Sequence, residues 1–97
     1  MVVLKMPQIF RVGGYLVFIW LAEGIPLEPI HVHISEGVPT ANATKVWITK
    51  NHRTLICHNR SGISPHHLNT IMKIIEARHE EIEKKWLDYF GQIDYYC

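Results

Sequence analysis

From residue 64 onward the sequence keeps one period. Leu68, Ile71, Met72, Ile75, His79, Ile82, Trp86, Tyr89 and Phe90 recur at spacings of three and four, which places them on one stripe of a helix with 3.6 residues per turn. Glu76, Arg78, Glu80, Glu81, Glu83, Lys84 and Lys85 largely fill the other side, with Glu80–Lys84 and Glu81–Lys85 as i,i+4 pairs in the favourable order. Ser64 is a natural N-cap, Pro65 suits the first helical position because its missing N–H costs nothing there, and Gly91 is a natural C-cap. One long helix over residues 64–90 is predicted. A helix with a single apolar stripe takes most of its stability from whatever covers that stripe, so the first half of the chain must supply the cover.

That first half reads as strands and turns. Gln8 to Val12 is a strand candidate, Gly13-Gly14 a hairpin turn, and Tyr15 to Leu21 an apolar run. A strand with no polar residue is expected to be covered on both faces. Glu23 to Pro29 carries a glycine and two prolines and reads as a loop. His31–Ser35, Thr44–Thr49 and Thr54–His58 are the further strands, the last two joined by the polar turn Lys50-Asn51-His52-Arg53. The expected fold is α+β: an antiparallel sheet of about four to five strands with one long C-terminal helix on one face. A single domain spans residues 1–97, with an N-terminal extension at 1–5, a β-rich part at 8–58 and the helix at 64–90.

Composition narrows the class. An apolar fraction of 47% in 97 residues argues for one small folded domain rather than a disordered chain. A net charge of +1 makes no global claim on nucleic acid or membrane. Seven histidines would add positive charge below about pH 6.5. Two cysteines, Cys57 and Cys97, do not make a disulfide framework, so a reducing cytoplasm is expected. Cys57 reads as a buried core residue. No signal peptide is expected, since a proline follows Met1–Lys5 closely, and the apolar run ending at Ala22 is too short to span a membrane.

The pattern that points to chemistry is Ile30-His31-Val32-His33-Ile34. On a strand, alternate side chains share a face, so His31 and His33 point the same way, their Cβ atoms about 6.5–7 Å apart. With Ile30, Val32 and Ile34 toward the core, both imidazoles are expected to face outward and to escape desolvation. Such a pair can serve as general base and acid, with one ring neutral and one protonated at pH 7. It can hold a metal ion, given a third ligand from His58, Glu28, Glu36, His66 or His67; His58 completes the leading trio. It can contact phosphate, or simply share the wet face of a sheet. A His-x-His-x-His phosphate-transfer triad is weakened because Ser35 stands where the third histidine would be. His66 and His67 open the helix, where backbone N–H groups favour an anion, although an ordinary capped helix explains them as well. Arg11, Arg53 and Arg60 with Trp20 and Trp47 are candidates for a partner or nucleic-acid surface.

Met6-Pro7-Gln8-Ile9-Phe10-Arg11 with Gly13-Gly14-Tyr15, the run Glu28-Pro29-Ile30-His31-Val32-His33 and the helix segment Glu80-Glu81-Ile82-Glu83-Lys84-Lys85-Trp86 resemble small prokaryotic proteins of domain of unknown function family 4160. That family typically shows Pro-Pro-His-x-His where this chain has Pro29-Ile30-His31. The resemblance runs from Met6 to about Phe90 and implies an α+β fold. It also implies a gene that neighbours another small protein, as in a toxin–antitoxin-like pair, and it brings no established activity.

Three functions follow as expectations. The first is a cytoplasmic interaction component of such a two-gene module, binding nucleic acid, a neighbouring-gene protein or a second copy of itself. Surplus apolar surface at Tyr15, Phe18, Trp20 and Trp47 favours a partner, since one helix covers one side of a sheet. The second is a metal-independent nuclease or phosphodiesterase using His31 and His33. The third is metal binding through His31, His33 and His58. No organic cofactor and no membrane are expected.

Overall fold

The computed structural model describes residues 8–21 and 28–97. The expected N-terminal extension, the Met6-Pro7 pair and most of the Glu23–Pro29 loop lie outside the described residues. Five strands, β1 (Gln8–Val12), β2 (Tyr15–Phe18), β3 (His31–Glu36), β4 (Thr44–Ile48) and β5 (Thr54–His58), form an antiparallel sheet in chain order. Sequential order is the simplest arrangement of antiparallel strands. At the β1–β2 turn Gly13 sits at φ 56°, a conformation that glycine adopts without strain.

One face of the sheet carries Val17, Val32, Ile34, Val46 and Ile48. These pack with Leu68, Ile71, Ile75, Ile82 and Trp86 from the C-terminal half into one buried cluster. The helical stripe read from the sequence is therefore the stripe that meets the sheet, except at Tyr89, which is exposed near the end of the second half. Asn59 sets the approach: its side chain accepts from Ile63 N–H and donates to the Ile63 carbonyl, closing the loop before Ser64. Ser64 then caps the helix, its hydroxyl accepting from His67 N–H. Glu76 ties the helix to β5 by accepting from both the N–H and the hydroxyl of Thr54 at 2.8 Å.

The single long helix is corrected to two, α1 (Pro65–Ala77) and α2 (His79–Phe90), broken at Arg78, whose φ of −110° and ψ of 24° are not helical. No proline or glycine marks the break. Its reason lies in the tertiary structure: an unbroken helix over 65–90 would run to about 39 Å at 1.5 Å per residue, whereas the longest strand of the sheet it covers has six residues and reaches about 20 Å. The break keeps both halves of the stripe on the sheet. Arg78 is occupied there, its guanidinium 4.0 Å from the Phe10 ring centre and paired through two nitrogens with Glu81. Gly91 ends α2 at φ 76°, as its position suggests. Beyond it the chain returns along the sheet, with Ile30 N–H donating to the Asp94 carbonyl and Lys50 N–H to the Cys97 carbonyl. Among the described residues no helix is long and apolar enough to cross a membrane.

The apolar run of β2 is covered on both faces, as expected: Leu16, Val17 and Phe18 are all fully buried. The cover on the second face comes from within the chain, where Leu16 and Phe18 pack with Ala43 and Trp20. The inference of a partner from surplus apolar surface at Phe18 therefore loses its basis.

Candidate functional site

The strand register builds the site. His33 pairs across to Phe18 of β2 and to Lys45 of β4, and His31 pairs to Trp47. By alternation the two histidines share the face of Phe18, Lys45 and Trp47, opposite Val32, Ile34 and Val46, which pack on the helices; His31, first in β3, also reaches Trp86 of α2. Their exposure does not follow the expectation: His31 is 1% exposed and His33 9%. The reason is aromatic packing. The ring of His31 meets His33, Trp47 and Trp86 at centroid distances of 5.1, 5.5 and 5.2 Å, all edge-on. His33 stacks on Phe18 at 5.5 Å and meets Trp20 edge-on. These imidazoles behave as members of an aromatic layer.

Burial has an electrostatic consequence. It pushes the pKa of His31 down to about 4, opposed in part by the Pro29 carbonyl that accepts from Nδ1. It pushes that of His33 down to about 3, helped by His31, Lys45 and His58 nearby. Both rings are neutral at pH 7, so the protonated half of an acid–base pair is missing. The Nδ1–H to Pro29 hydrogen bond also sets the tautomer of His31, with the lone pair on Nε2.

His33 forms part of the wall of a cavity of about 260 Å³, together with Trp20, Glu28, Lys45, His58 and Arg60 and the Thr40–Ala43 turn. A β-bulge sets this lining. Val46 pairs with Ile56, but Lys45 pairs with His58 rather than with Cys57, because the register shifts between them. Without the shift Cys57 would lie opposite Lys45. Cys57 instead is exposed on the edge strand, which corrects its assignment to the core. Lys45 is paired with Glu28 at 2.5 Å and lies 4.5 Å from the Trp47 ring centre. Arg60 N–H donates to His58 Nδ1 at 3.4 Å. The His58 pKa is lowered, first by desolvation and then by the positive charges of Arg60 and Lys45.

The structure thus joins His33, His58, Trp20 and Arg60 in one place and leaves the other candidates apart. Trp47 lies beside this region under Tyr96 of the returning tail, their rings stacked at 4.9 Å. Arg11 is exposed on β1 at the far edge of the sheet, and Arg53 is exposed at the end of β5 opposite His58. Glu36 closes β3 and is exposed. His66 and His67 are exposed at the start of α1, where His67 Nδ1 lies 3.3 Å from the Tyr15 hydroxyl. Among the described residues one group of three has its metal-ligating atoms within 4.8 Å of one another: His52, His79 and Glu83. His31, His33 and His58 do not form such a group. The sequence marks His79 as a stripe residue and His52 as part of a polar turn and of a candidate nucleic-acid surface, neither as a ligand; the helical i,i+4 spacing of His79 and Glu83 is the available signal.

The fold and this face define a small α+β protein, with helices on one side of a meander sheet and a histidine-walled cavity on the other. The chain belongs to the family described as a domain of unknown function (DUF4160), whose model matches residues 14–87, from the β1–β2 turn into α2. No curated protein and no solved structure matches the chain.

Proposed function

We propose that this chain is the nucleic-acid-contacting component of a small toxin–antitoxin-like two-gene module, and that its cavity receives a backbone phosphate beside a base resting on Trp20. The observation that supports the reading is the positive field in the cavity. Lys45 and Arg60 both line the cavity, and after desolvation their charges are what lower the His58 pKa; two cations in one wall attract an anion. Glu28 offsets one of these charges and leaves the other for a ligand. The half-buried Trp20 in the same wall offers the aromatic face on which single-stranded nucleic acids stack. The two-gene context rests on the family resemblance.

The test is binding of a single-stranded oligonucleotide, followed by Trp fluorescence across a salt series. Arg60→Ala should weaken binding and reduce the slope of log K against log salt by about one. Unchanged affinity and slope in Arg60→Ala and in Lys45→Ala/Arg60→Ala, or no binding at low salt, would remove the reading.

A partner protein is the second reading, supported by β5. This strand ends the sheet with Leu55 43% and Ile56 44% exposed, an open edge to which another strand can add. Light scattering of the chain alone and with the neighbouring gene product measures it. A monomer in both samples would dismiss it.

A further inference from the structure

We infer that His52, His79 and Glu83 form a binding site for a divalent transition-metal ion, with zinc the best fit, which clamps the β4–β5 turn to α2. This site lies apart from the cavity described above and uses none of its residues. His79 and Glu83 stand one turn apart on α2 and so share a face. His52 comes from the turn between β4 and β5. Its Nδ1 lies 3.1 Å from Glu83 Oε1, and the Nδ1 of His79 lies 2.5 Å from the same oxygen. The two imidazoles stack at 4.0 Å with 19° between their planes. Both Nδ1 atoms therefore face one carboxylate oxygen, and the three ligand atoms lie within 4.8 Å of one another.

The β4–β5 turn is what brings His52 to this place. His52 is the one non-glycine residue with positive φ among the described residues, at 62°. Histidine tolerates this region better than most residues, but it still carries strain that the surrounding structure must hold. Burial does not explain it, because the His52 side chain is 46% exposed. Hydrogen bonds do hold the turn: His52 N–H donates to the Thr49 carbonyl, Thr49 N–H to the Arg53 carbonyl, and Arg53 N–H to Thr49 Oγ1. These bonds make a three-residue hairpin loop with His52 at its left-handed position, which accounts for the positive φ and lays the His52 ring over His79.

The donor set has the chemistry of a zinc site. Two imidazoles and one carboxylate leave a fourth tetrahedral position for water, and the exposed side of His52 opens that position to solvent. Ligand atoms about 2.0–2.1 Å from zinc stand roughly 3.3 Å apart in a tetrahedron, so the His52–Glu83 spacing already fits and the His79–Glu83 spacing must open by less than an ångström. Binding exchanges the two Nδ1···Oε1 hydrogen bonds for bonds to the metal, each ligating ring being neutral with its N–H on Nε2. Glu83 is supported from behind, since the Tyr95 hydroxyl donates to its other oxygen at 3.3 Å. Such outer hydrogen bonds orient a ligating carboxylate.

The experiment is calorimetric titration of the untagged full chain, stripped with chelator, with zinc chloride at pH 7.5. About one equivalent should bind, with a rise in melting temperature. His52→Asn keeps a residue that accepts positive φ, and His79→Gln keeps a good helix former, so both variants should fold. Each should weaken zinc binding by about tenfold or more, while Cys57→Ser/Cys97→Ser and His33→Gln/His58→Gln should bind as the parent does. No binding by the parent, undiminished binding by His52→Asn or His79→Gln, or affinity that follows the cysteines or the cavity histidines would overturn the assignment.

Discussion

Acidification should destabilise this protein through two buried imidazoles. In the unfolded chain His31 and His33 titrate near the ordinary value of 6.5, whereas in the fold burial holds them at about 4 and about 3. Below pH 6.5 the unfolded chain takes up a proton on each ring and the folded chain does not. The unfolded state then binds more protons, so stability falls as pH falls. Above pH 6.5 both rings are neutral in both states and contribute no slope. Over the about 1.5 units from pH 6.5 to pH 5, at about 1.4 kcal/mol per unit, each ring costs about 2 kcal/mol and the pair about 4 kcal/mol. That is a large share of the 5–15 kcal/mol typical of small domains, by order of magnitude about half. The loss continues to about pH 4 for His31 and about pH 3 for His33, where the folded state takes up its own protons. Urea denaturation at pH 8, 7, 6 and 5 measures it, before most carboxylates begin to titrate. NMR titration of the imidazole resonances provides the site-resolved check: His31 and His33 should not shift between pH 8 and 5. Midpoints near 6.5 for these two rings, or stability unchanged from pH 7 to 5, would refute the reasoning.

Other perturbations test the packing. Trp86→Ala should cost about 3–5 kcal/mol by thermal or chemical denaturation, the range for emptying a large aromatic site, since Trp86 is 1% exposed and joins the helix-side cluster to His31. Trp86→Phe should cost less than that, because the buried indole N–H has no hydrogen-bond partner among the described residues and its loss leaves nothing unpaired. Gly91→Ala should cost about 1–2 kcal/mol in the same assay; an added Cβ there meets nothing within 4 Å, so the cost comes from the positive φ alone.

The amphipathic helix shows how far local pattern reaches. Its cap, its buried stripe and its terminal glycine are all where Ser64, the Leu68–Trp86 spacing and Gly91 place them. Its interruption at Arg78 was not legible, because the stripe repeats through the break without change of phase and only the length of the sheet it must cover requires one. The histidine pair shows the same division. Alternation along β3 placed both rings on one face. It could not say that Phe18, Trp20, Trp47 and Trp86 would enclose them, because those contacts come from other strands and from α2.

Local pattern accounts for what depends on neighbours a few residues apart: an antiparallel sheet, a covered second strand, a capped amphipathic helix and two histidines on one strand face. The tertiary structure decided what depends on residues distant in the chain. A bulge on β5 turned His58 rather than Cys57 toward Lys45, burial made His31 and His33 neutral aromatic packing, and a strained turn carried His52 across to His79 and Glu83. Periodicity specifies which face a side chain occupies; the register between strands and the path of the helices specify what that face meets.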